Sequence, residues 1–230
     1  MLNYRVPPEL LIPLVPNGTT LDLWNGIAYL SVVGFLFRDT RVLGVPIPFH
    51  RTFEEVNLRF YVRREVAGEA RRAVTFIREL VPRRAIAAVA RLTYNEPYRA
   101  LPMRHQIRVE AARGATTLVE YEWRAASEWA GLRIAPEGPG APLVPGSEEE
   151  FITQHYWGYT RQRDGRTVEY EVRHPAWRIW SAREARLYGD LSPVFGEFSE
   201  HLRGEPHSAW LADGSAVSVH APVRLTGNSG

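Results

Sequence analysis

The strongest constraint on the fold is a stretch of strict alternation at residues 53–63, FEEVNLRFYVR. Alternation with a period of two is typical of a β-strand, in which successive side chains point to opposite faces. One face is apolar and consists of Val56, Leu58, Phe60 and Val62. The other face is polar and consists of Glu55, Asn57, Arg59, Tyr61 and Arg63. Two interpretations are open: the polar face is the solvated side of an antiparallel strand, or it lines a pocket.

The spacing along the polar face is compatible with a pocket. On a strand that rises about 3.3 Å per residue, Glu55 and Arg59 stand roughly 13 Å apart, and Asn57 lies between them. At that separation a carboxylate and a guanidinium form no ion pair, but both can line one cavity. Whether this face is enclosed or flat therefore decides between the interpretations.

The basic side chains exclude several chemistries, because all 28 are arginine and the sequence contains no lysine. Without lysine, no side chain forms a Schiff base with a carbonyl substrate or with pyridoxal phosphate. The formal net charge is only +2, and the arginines form short doublets rather than a dense basic block. We therefore expect no nucleic-acid partner.

Cysteine is absent as well, which excludes disulfides, thiolate nucleophiles and thiolate metal sites. The first residues show no signal-peptide layout, and no stretch approaches the roughly 20 apolar residues that span a bilayer. We expect a cytoplasmic protein without membrane contact. The length predicts one domain over residues 1–230, with a frayed tail at 226–230.

Strands outnumber helices in the remaining pattern. Apolar alternation and continuous apolar runs predict strands at 27–37, 53–63, 73–80, 103–110, 117–124, 156–163, 166–174 and 216–225. Turn signals at Gly68, Asp164-Gly165 and Asp213-Gly214 predict hairpins. Capping residues and helical spacing predict short helices at 9–15, 82–92, 148–155 and 192–201. These elements predict an α+β protein that is mainly antiparallel β-sheet.

Several segments resemble, in their order, the YqjF-like family of uncharacterised bacterial proteins (domain of unknown function 2071). The segments are LVPNGTTLDLWNGIAYLSVV, FEEVNLRFYV, LTYNEPYRALPM, EEFITQHYWGYT and RTVEYEVRHPAWRIW. That family in turn resembles the acetoacetate decarboxylase superfamily. The resemblance implies an antiparallel sheet curled into a cone around a small-molecule cavity, with a few short helices.

The same resemblance implies roles for particular positions. Glu55 in FEEVNL resembles the acidic residue on the cavity-lining strand of the decarboxylases. Residues 95–99, NEPYR, lie where their proline-plus-lysine motif would be, and the chain carries Tyr98 and Arg99 there. Arginine stays protonated and is a poor nucleophile, so the lysine-imine mechanism of the decarboxylases is excluded.

The candidate catalytic residues are Glu55 and Tyr98. Arg59 is the candidate carboxylate clamp, because its planar fork holds two oxygen atoms at once. The other candidate substrate-binding residues are Tyr61, Asn57, Tyr94 and Arg99.

The histidines give weaker signals. His105 falls on the apolar side of its strand, which predicts a core histidine. His50 precedes residues 53–63 and is a candidate general base without further support. His155, His174 and Glu171 match no zinc-binding spacing, and P-loop, GxGxxG and Gly-x-Ser-x-Gly motifs are absent. We expect neither a metal nor a cofactor.

Two functions of different class remain open. In the first, a polar cavity binds a small organic acid, such as an oxo acid, and supports acid–base chemistry of lyase or isomerase type without a lysine imine. In the second, the domain is a non-catalytic binding or protein-interaction module. The tryptophans Trp123, Trp177 and Trp180 are compatible with a homo-oligomer surface, whose symmetry the sequence does not fix.

Overall fold

The computed structural model describes residues 1–39, 41–42, 45–46, 52–88, 95–111 and 114–225. Within these residues a sheet of 15 strands dominates the fold, and most neighbouring strands are antiparallel. The strands are β1 (Leu2–Val6), β2 (Thr20–Leu21), β3 (Ala28–Phe37), β4 (Arg41–Val42), β5 (Val45–Pro46), β6 (Phe53–Val66), β7 (Glu69–Val81), β8 (Tyr98–Ala100), β9 (Met103–Glu110), β10 (Ala115–Trp123), β11 (Ala130–Pro136), β12 (Trp157–Arg161), β13 (Thr167–Arg173), β14 (Ile179–Tyr188), β15 (Ser208–Ala212), β16 (Ser218–Val219) and β17 (Val223–Arg224). Strands β4 and β5 pair with each other outside the large sheet.

The helices are short, in agreement with the sequence prediction of a mainly β protein. They are α1 (Pro8–Leu11), α2 (residues 84–88), α3 (Glu148–Thr153) and α4 (Ser192–Phe195), and 3-10 helices cover Ile12–Leu14 and Gly196–Leu202. The Ser147 hydroxyl accepts a hydrogen bond from the Glu150 amide at 3.1 Å, so the predicted capping box begins α3. Across the described ranges, no helix is long and apolar enough to cross a membrane.

The strand order of the large sheet places β6 near its centre. The order is β16-β13-β12-β7-β6-β3-β1-β15-β14-β11-β10-β9, with β17 beside β13, β2 beside β6 and β8 beside β7. Strand β7 runs parallel to β12 and to β8. It is antiparallel to β6, and the two strands form a long hairpin closed by Ala67 and Gly68, which have φ values of 51° and 85°. Positive φ at both central residues is the geometry of a tight hairpin turn.

The sheet curls far enough to bring strands from its two halves together. A Cβ atom at Gly34 of β3 would lie 2.7 Å from Tyr121 of β10 and 3.0 Å from Leu132 of β11. Strands β3 and β10 are not neighbours in the strand order, so they meet face to face. Only glycine leaves enough room for this contact.

The apolar face of β6 lies inside the main core that this curl encloses. Its four apolar side chains are fully buried, and they are Val56, Leu58, Phe60 and Val62. Side chains from β1, β3, β10 and β11 pack in the same cluster, together with residues of α4 and the 3-10 helix after it. Burial of this face provides the main hydrophobic stabilisation of the strand.

A second apolar cluster covers part of the opposite, polar face of β6. It contains Tyr61 of β6, Phe151 and Ile152 of α3, and Trp210 of β15. Helix α3 therefore lies over the Tyr61 end of the polar face. Both faces of β6 are covered, which is uncommon for a strand whose sequence alternates between apolar and charged residues.

Several sequence predictions differ from the structure. The strand predicted at 216–225 forms only at Ser218–Val219 and Val223–Arg224, and both pieces pair with β13, so the hairpin predicted at Asp213-Gly214 does not form. His105 is not a core residue, because β9 lies at the end of the strand order and its Ile107 and Val109 are 37% and 54% exposed. Strands β1, β2, β8, β11, β14 and β15 were not predicted. Residues 89–92 of the predicted second helix, His50, Tyr94 and the tail 226–230 lie outside the described residues.

Candidate functional site

The polar side chains of β6 form a buried row. Glu55, Asn57 and Tyr61 are 3%, 1% and 1% exposed, and Arg59 between them is half-buried. Burial of this kind contradicts the interpretation of the polar face as the solvated side of a strand. Buried polar groups are retained where they pair with one another or meet a ligand.

Glu55 lies at the centre of a small hydrogen-bond network. Its carboxyl group accepts hydrogen bonds from the Asn57 amide at 3.2 Å and from the Tyr98 hydroxyl at 3.1 Å. Burial raises the pKa of Glu55 to about 7, although both hydrogen bonds oppose this rise. The two candidate catalytic residues are therefore in direct contact, and the Glu55 carboxyl titrates near neutral pH.

Two further glutamates join Glu55 in what we call the carboxyl cluster. Glu79 of β7 is 1% exposed and stands opposite Asn57 in the β6–β7 register. Glu96, in the segment before β8, is 6% exposed and accepts hydrogen bonds from the Tyr170 hydroxyl and, at 3.5 Å, from the Thr160 hydroxyl. Sequence analysis did not identify Glu79, and it included Glu96 only as part of residues 95–99, without a role of its own.

The carboxyl cluster holds its protons far more tightly than exposed glutamates do. Burial, followed by the charges of Glu96 and Glu55, raises the pKa of Glu79 well above its usual value. Burial also raises the pKa of Glu96 to about 7. Because burial and like charges both disfavour the ionised form, the three carboxyl groups are only partly ionised at neutral pH.

Arg59 occupies the middle of the row and has an incomplete set of partners. Its Nη2 atom donates to the Ile152 carbonyl of α3 at 3.3 Å, and its guanidinium carbon lies 5.8 Å from the centre of the Tyr61 ring. Its buried Nε–H has no acceptor among the described residues. A guanidinium held in this way still has a donor to offer to an anion.

His155 closes the row at its other end. Its ring stacks on Tyr61 with centroids 4.7 Å apart, and the Tyr61 hydroxyl is hydrogen-bonded to the Ser31 hydroxyl at 2.7 Å. The imidazole is 6% exposed, and in the described part of the chain neither ring nitrogen has a hydrogen-bond partner. Burial, followed by the charges of Arg72 and Arg59, lowers the pKa of His155 well below its usual value, so the ring is neutral.

The comparisons with known proteins begin with the family. Residues 1–215 match the DUF2071 family, which is described as an uncharacterized conserved protein. The chain belongs to this family. The uncharacterized protein YqjF of Bacillus subtilis is 26% identical over 184 residues, which cover 78% of this chain and 71% of YqjF.

Several solved structures share the fold of this DUF2071 protein. The acetoacetate decarboxylase of Legionella pneumophila superposes with a TM-score of 0.61 at 12% identity, covering 98% of this chain and 83% of the enzyme. An acetoacetate decarboxylase-like enzyme of Sphingomonas wittichii gives a TM-score of 0.58 at 13% identity, with coverages of 98% and 89%. The enduracididine biosynthesis enzyme MppR, complexed with pyruvate, gives 0.57 at 14% identity, with coverages of 97% and 81%. The fold is therefore acetoacetate decarboxylase-like, as the sequence resemblance implied.

The structure brings most of the predicted site residues of this DUF2071 protein together, but not all. Glu55, Asn57, Arg59, Tyr61 and Tyr98 line one buried region. Arg99 points the other way and donates to the Pro193 carbonyl at 2.5 Å, because adjacent residues of a strand face opposite sides. It therefore lies away from the candidate ligand site. Tyr94 lies outside the described residues, and its predicted role stays a prediction.

The histidines that were weighed as metal ligands do not converge with a carboxylate. His174 stacks on Trp177 at 4.2 Å, Glu171 pairs with Arg173 at 2.7 Å, and His155 lies beside Tyr61. Among the described residues, no group of three His, Cys, Asp or Glu side chains is arranged to hold a metal ion. The chemistry that the row itself offers is hydrogen bonding, anion binding and proton transfer.

Proposed function

We propose that the buried polar row binds a small organic acid and that its carboxyl groups transfer protons to or from that acid. The observation that carries this proposal is the position of Arg59 in the same row as Glu55, with a buried Nε–H that finds no acceptor among the residues that the structure describes. A carboxylate is the group that best satisfies a guanidinium, because it accepts two parallel hydrogen bonds. The reaction would be of lyase or isomerase type.

The proton-transfer part of the proposal rests on Glu55 and Tyr98. A carboxyl group whose pKa is about 7 exchanges protons efficiently at neutral pH, since the ideal acid–base group titrates near the working pH. The Tyr98 hydroxyl donates to Glu55 at 3.1 Å and orients it. No side-chain imine can take part, because the chain has no lysine.

The structural neighbours support the choice of ligand class. Acetoacetate decarboxylase acts on an oxo acid by its name, and MppR was solved with pyruvate, which is also an oxo acid. Identities of 12% and 14% establish the fold and not the chemistry, so the ligand class is carried over as a proposal. A cytoplasmic location and a homo-oligomeric state belong to the same proposal.

Replacing Arg59 by alanine is expected to abolish acid binding. A thermal-shift screen of small carboxylates, oxo acids and aromatic acids should find at least one that raises the melting temperature of the native protein. At about 100 times its dissociation constant, such an acid adds roughly 2.7 kcal/mol to the free energy of unfolding. The shift should disappear in Arg59→Ala, because the carboxylate loses its clamp.

The matched control is Arg63→Ala, which removes an exposed arginine from the same strand. This variant should keep the full thermal shift. Circular dichroism and the melting temperature without ligand would show that both variants fold. If no acid stabilises the native protein, or if the shift survives in folded Arg59→Ala, the proposed function is wrong.

A further inference from the structure

Several buried polar atoms along the row have no hydrogen-bond partner in the described part of the chain. They are Asn57 Oδ1, Glu79 Oε2, Arg59 Nε and both ring nitrogens of His155. Asn57 and Glu79 are each 1% exposed, and His155 is 6% exposed. An unpaired buried polar atom is unfavourable, and folded proteins pair nearly all of them. So many unpaired atoms in one row indicate that something else binds there.

The unpaired atoms are sorted by type along β6. The Asn57 amide nitrogen donates to Glu55, which leaves Asn57 Oδ1 as an acceptor. Glu79 Oε2 stands beside it, because Glu79 is the register partner of Asn57. The unpaired donor, Arg59 Nε, lies two residues further along β6, which is about 7 Å away on the same face. At one end of the row Asn57 Oδ1 accepts a hydrogen bond, and Glu79 Oε2 beside it accepts one when ionised and donates one when protonated. At the other end Arg59 donates one.

The apolar surroundings strengthen the hydrogen bonds that a ligand can form with these unpaired atoms. Tyr61, Phe151 and Ile152 cover the Arg59 end, and burial keeps His155 neutral there. A neutral imidazole adds no second positive charge beside Arg59 for an anion to bind. It presents one hydrogen-bond donor and one acceptor. In a dry region each matched hydrogen bond contributes more to selectivity than it would in water.

We propose that the ligand is a carboxylic acid that carries a hydroxyl or amino group several bonds from its carboxylate. The carboxylate binds Arg59. A hydroxyl group donates to Asn57 Oδ1 and accepts from the protonated Glu79 carboxyl, whereas an ammonium group donates to Asn57 Oδ1 and to the ionised Glu79 carboxylate. This inference rests on the proposed function and narrows its ligand class. A simple oxo acid presents only acceptors at that distance and leaves Asn57 Oδ1 unpaired.

The test is calorimetric titration of the full-length chain with four acids of similar length. 4-Hydroxybutanoate and 4-aminobutanoate carry a donor, 4-oxopentanoate carries an acceptor, and butanoate carries neither. A hydrogen bond to a buried acceptor should make the donor-bearing acids bind at least about tenfold more tightly than butanoate. 4-Oxopentanoate should bind less tightly than the two donor-bearing acids, because its ketone leaves Asn57 Oδ1 unpaired.

Two variants test whether Glu79 is the source of the preference for a donor-bearing acid. Glu79→Gln keeps the shape of the side chain but removes the carboxyl group, so the preference for 4-aminobutanoate over butanoate should disappear. Glu69→Gln changes an exposed glutamate at the start of the same strand and should keep the preference. The melting temperature without ligand would confirm that both variants fold.

The outcomes separate this inference from the proposed function. If the four acids bind equally and binding depends on Arg59, the inference is overturned and the proposed function stands. If 4-oxopentanoate binds as tightly as the donor-bearing acids, or if a preference for 4-aminobutanoate survives in Glu79→Gln, the inference is overturned in the same way. If none of the four acids binds, the inference is overturned, and the wider thermal-shift screen decides whether the proposed function stands.

Discussion

Replacing Phe60 by alanine is expected to lower the free energy of unfolding by about 3–5 kcal/mol. The Phe60 side chain is fully buried on the apolar face of β6, inside the main core. Because β6 pairs with both β3 and β7, the cavity left by the ring cannot be filled by movement of a free strand edge. Chemical denaturation monitored by tryptophan fluorescence would measure the loss.

A matched control comes from the edge of the same sheet. Ile107→Ala on β9 removes a side chain that is 37% exposed, so its effect on the free energy of unfolding should stay below about 1 kcal/mol. Unfolding curves that give similar losses for Phe60→Ala and Ile107→Ala would contradict the placement of the core. Phe60→Ala is also expected to weaken ligand binding, because Arg59 is the preceding residue on the same strand.

At alkaline pH the Glu79→Gln variant should have a larger free energy of unfolding than the native protein, because it lacks one carboxyl group of the carboxyl cluster. The pKa values of Glu55 and Glu96 rise from 4.5 to about 7 on folding, and that of Glu79 rises further. Between pH 4.5 and 7 the folded chain therefore binds more protons than the unfolded chain, so the free energy of unfolding falls as the pH rises. For Glu55 or Glu96 alone the fall is on the order of 3 kcal/mol.

The glutamine variant lacks one of these carboxyl groups and relieves the repulsion on the other two. Its free energy of unfolding should exceed that of the native protein by more than about 1 kcal/mol at pH 8, and this difference should shrink as the pH falls toward 4.5. His155 works in the opposite direction, because a buried neutral imidazole costs stability as the pH falls below 6.5. Its effect is common to both proteins and cancels in the difference. Urea unfolding at several pH values would check this, and an advantage that is the same at all pH values would contradict it.

The sequence was sufficient to predict the hairpin of β6 and β7 and the row of polar residues on β6, because both follow from local patterns. Strict alternation defined both faces of β6, and the turn at Gly68 defined its pairing with β7. What alternation could not decide was whether the polar face is enclosed. That depends on α3, which is distant in the chain and covers Tyr61 only after folding.

Glu79 was missed for a specific structural reason. The β6–β7 register shifts between Leu58 and Arg59, so that Phe76 and Glu79 reach the same face of β7 although they are an odd number of residues apart. A bulge of this kind breaks the period of two that sequence analysis relies on. A glutamate directly before the apolar end of β7 was the available signal, but its face could not be assigned.

Errors at Arg99 and His105 have other causes. The sequence resemblance placed Tyr98 and Arg99 together, and β8, which separates them onto opposite faces, is too short to show a pattern. His105 lies on the apolar side of an alternating strand, but that strand is at the end of the strand order and the His105 ring is hydrogen-bonded to Glu54 at 2.6 Å. Strand position within a sheet is set by long-range pairing, which alternation does not encode.

The most direct test of the proposed site is nuclear magnetic resonance of the Arg59 Nε–H group in protein labelled with ¹⁵N-arginine. Its resonance can be assigned by its loss in Arg59→Lys, and the other arginines serve as internal references. Titration with pyruvate and with 4-hydroxybutanoate should move this resonance downfield in a saturable way with at least one acid, because the unpaired donor gains a carboxylate acceptor. An Arg59 resonance that stays in place throughout both titrations would contradict the account.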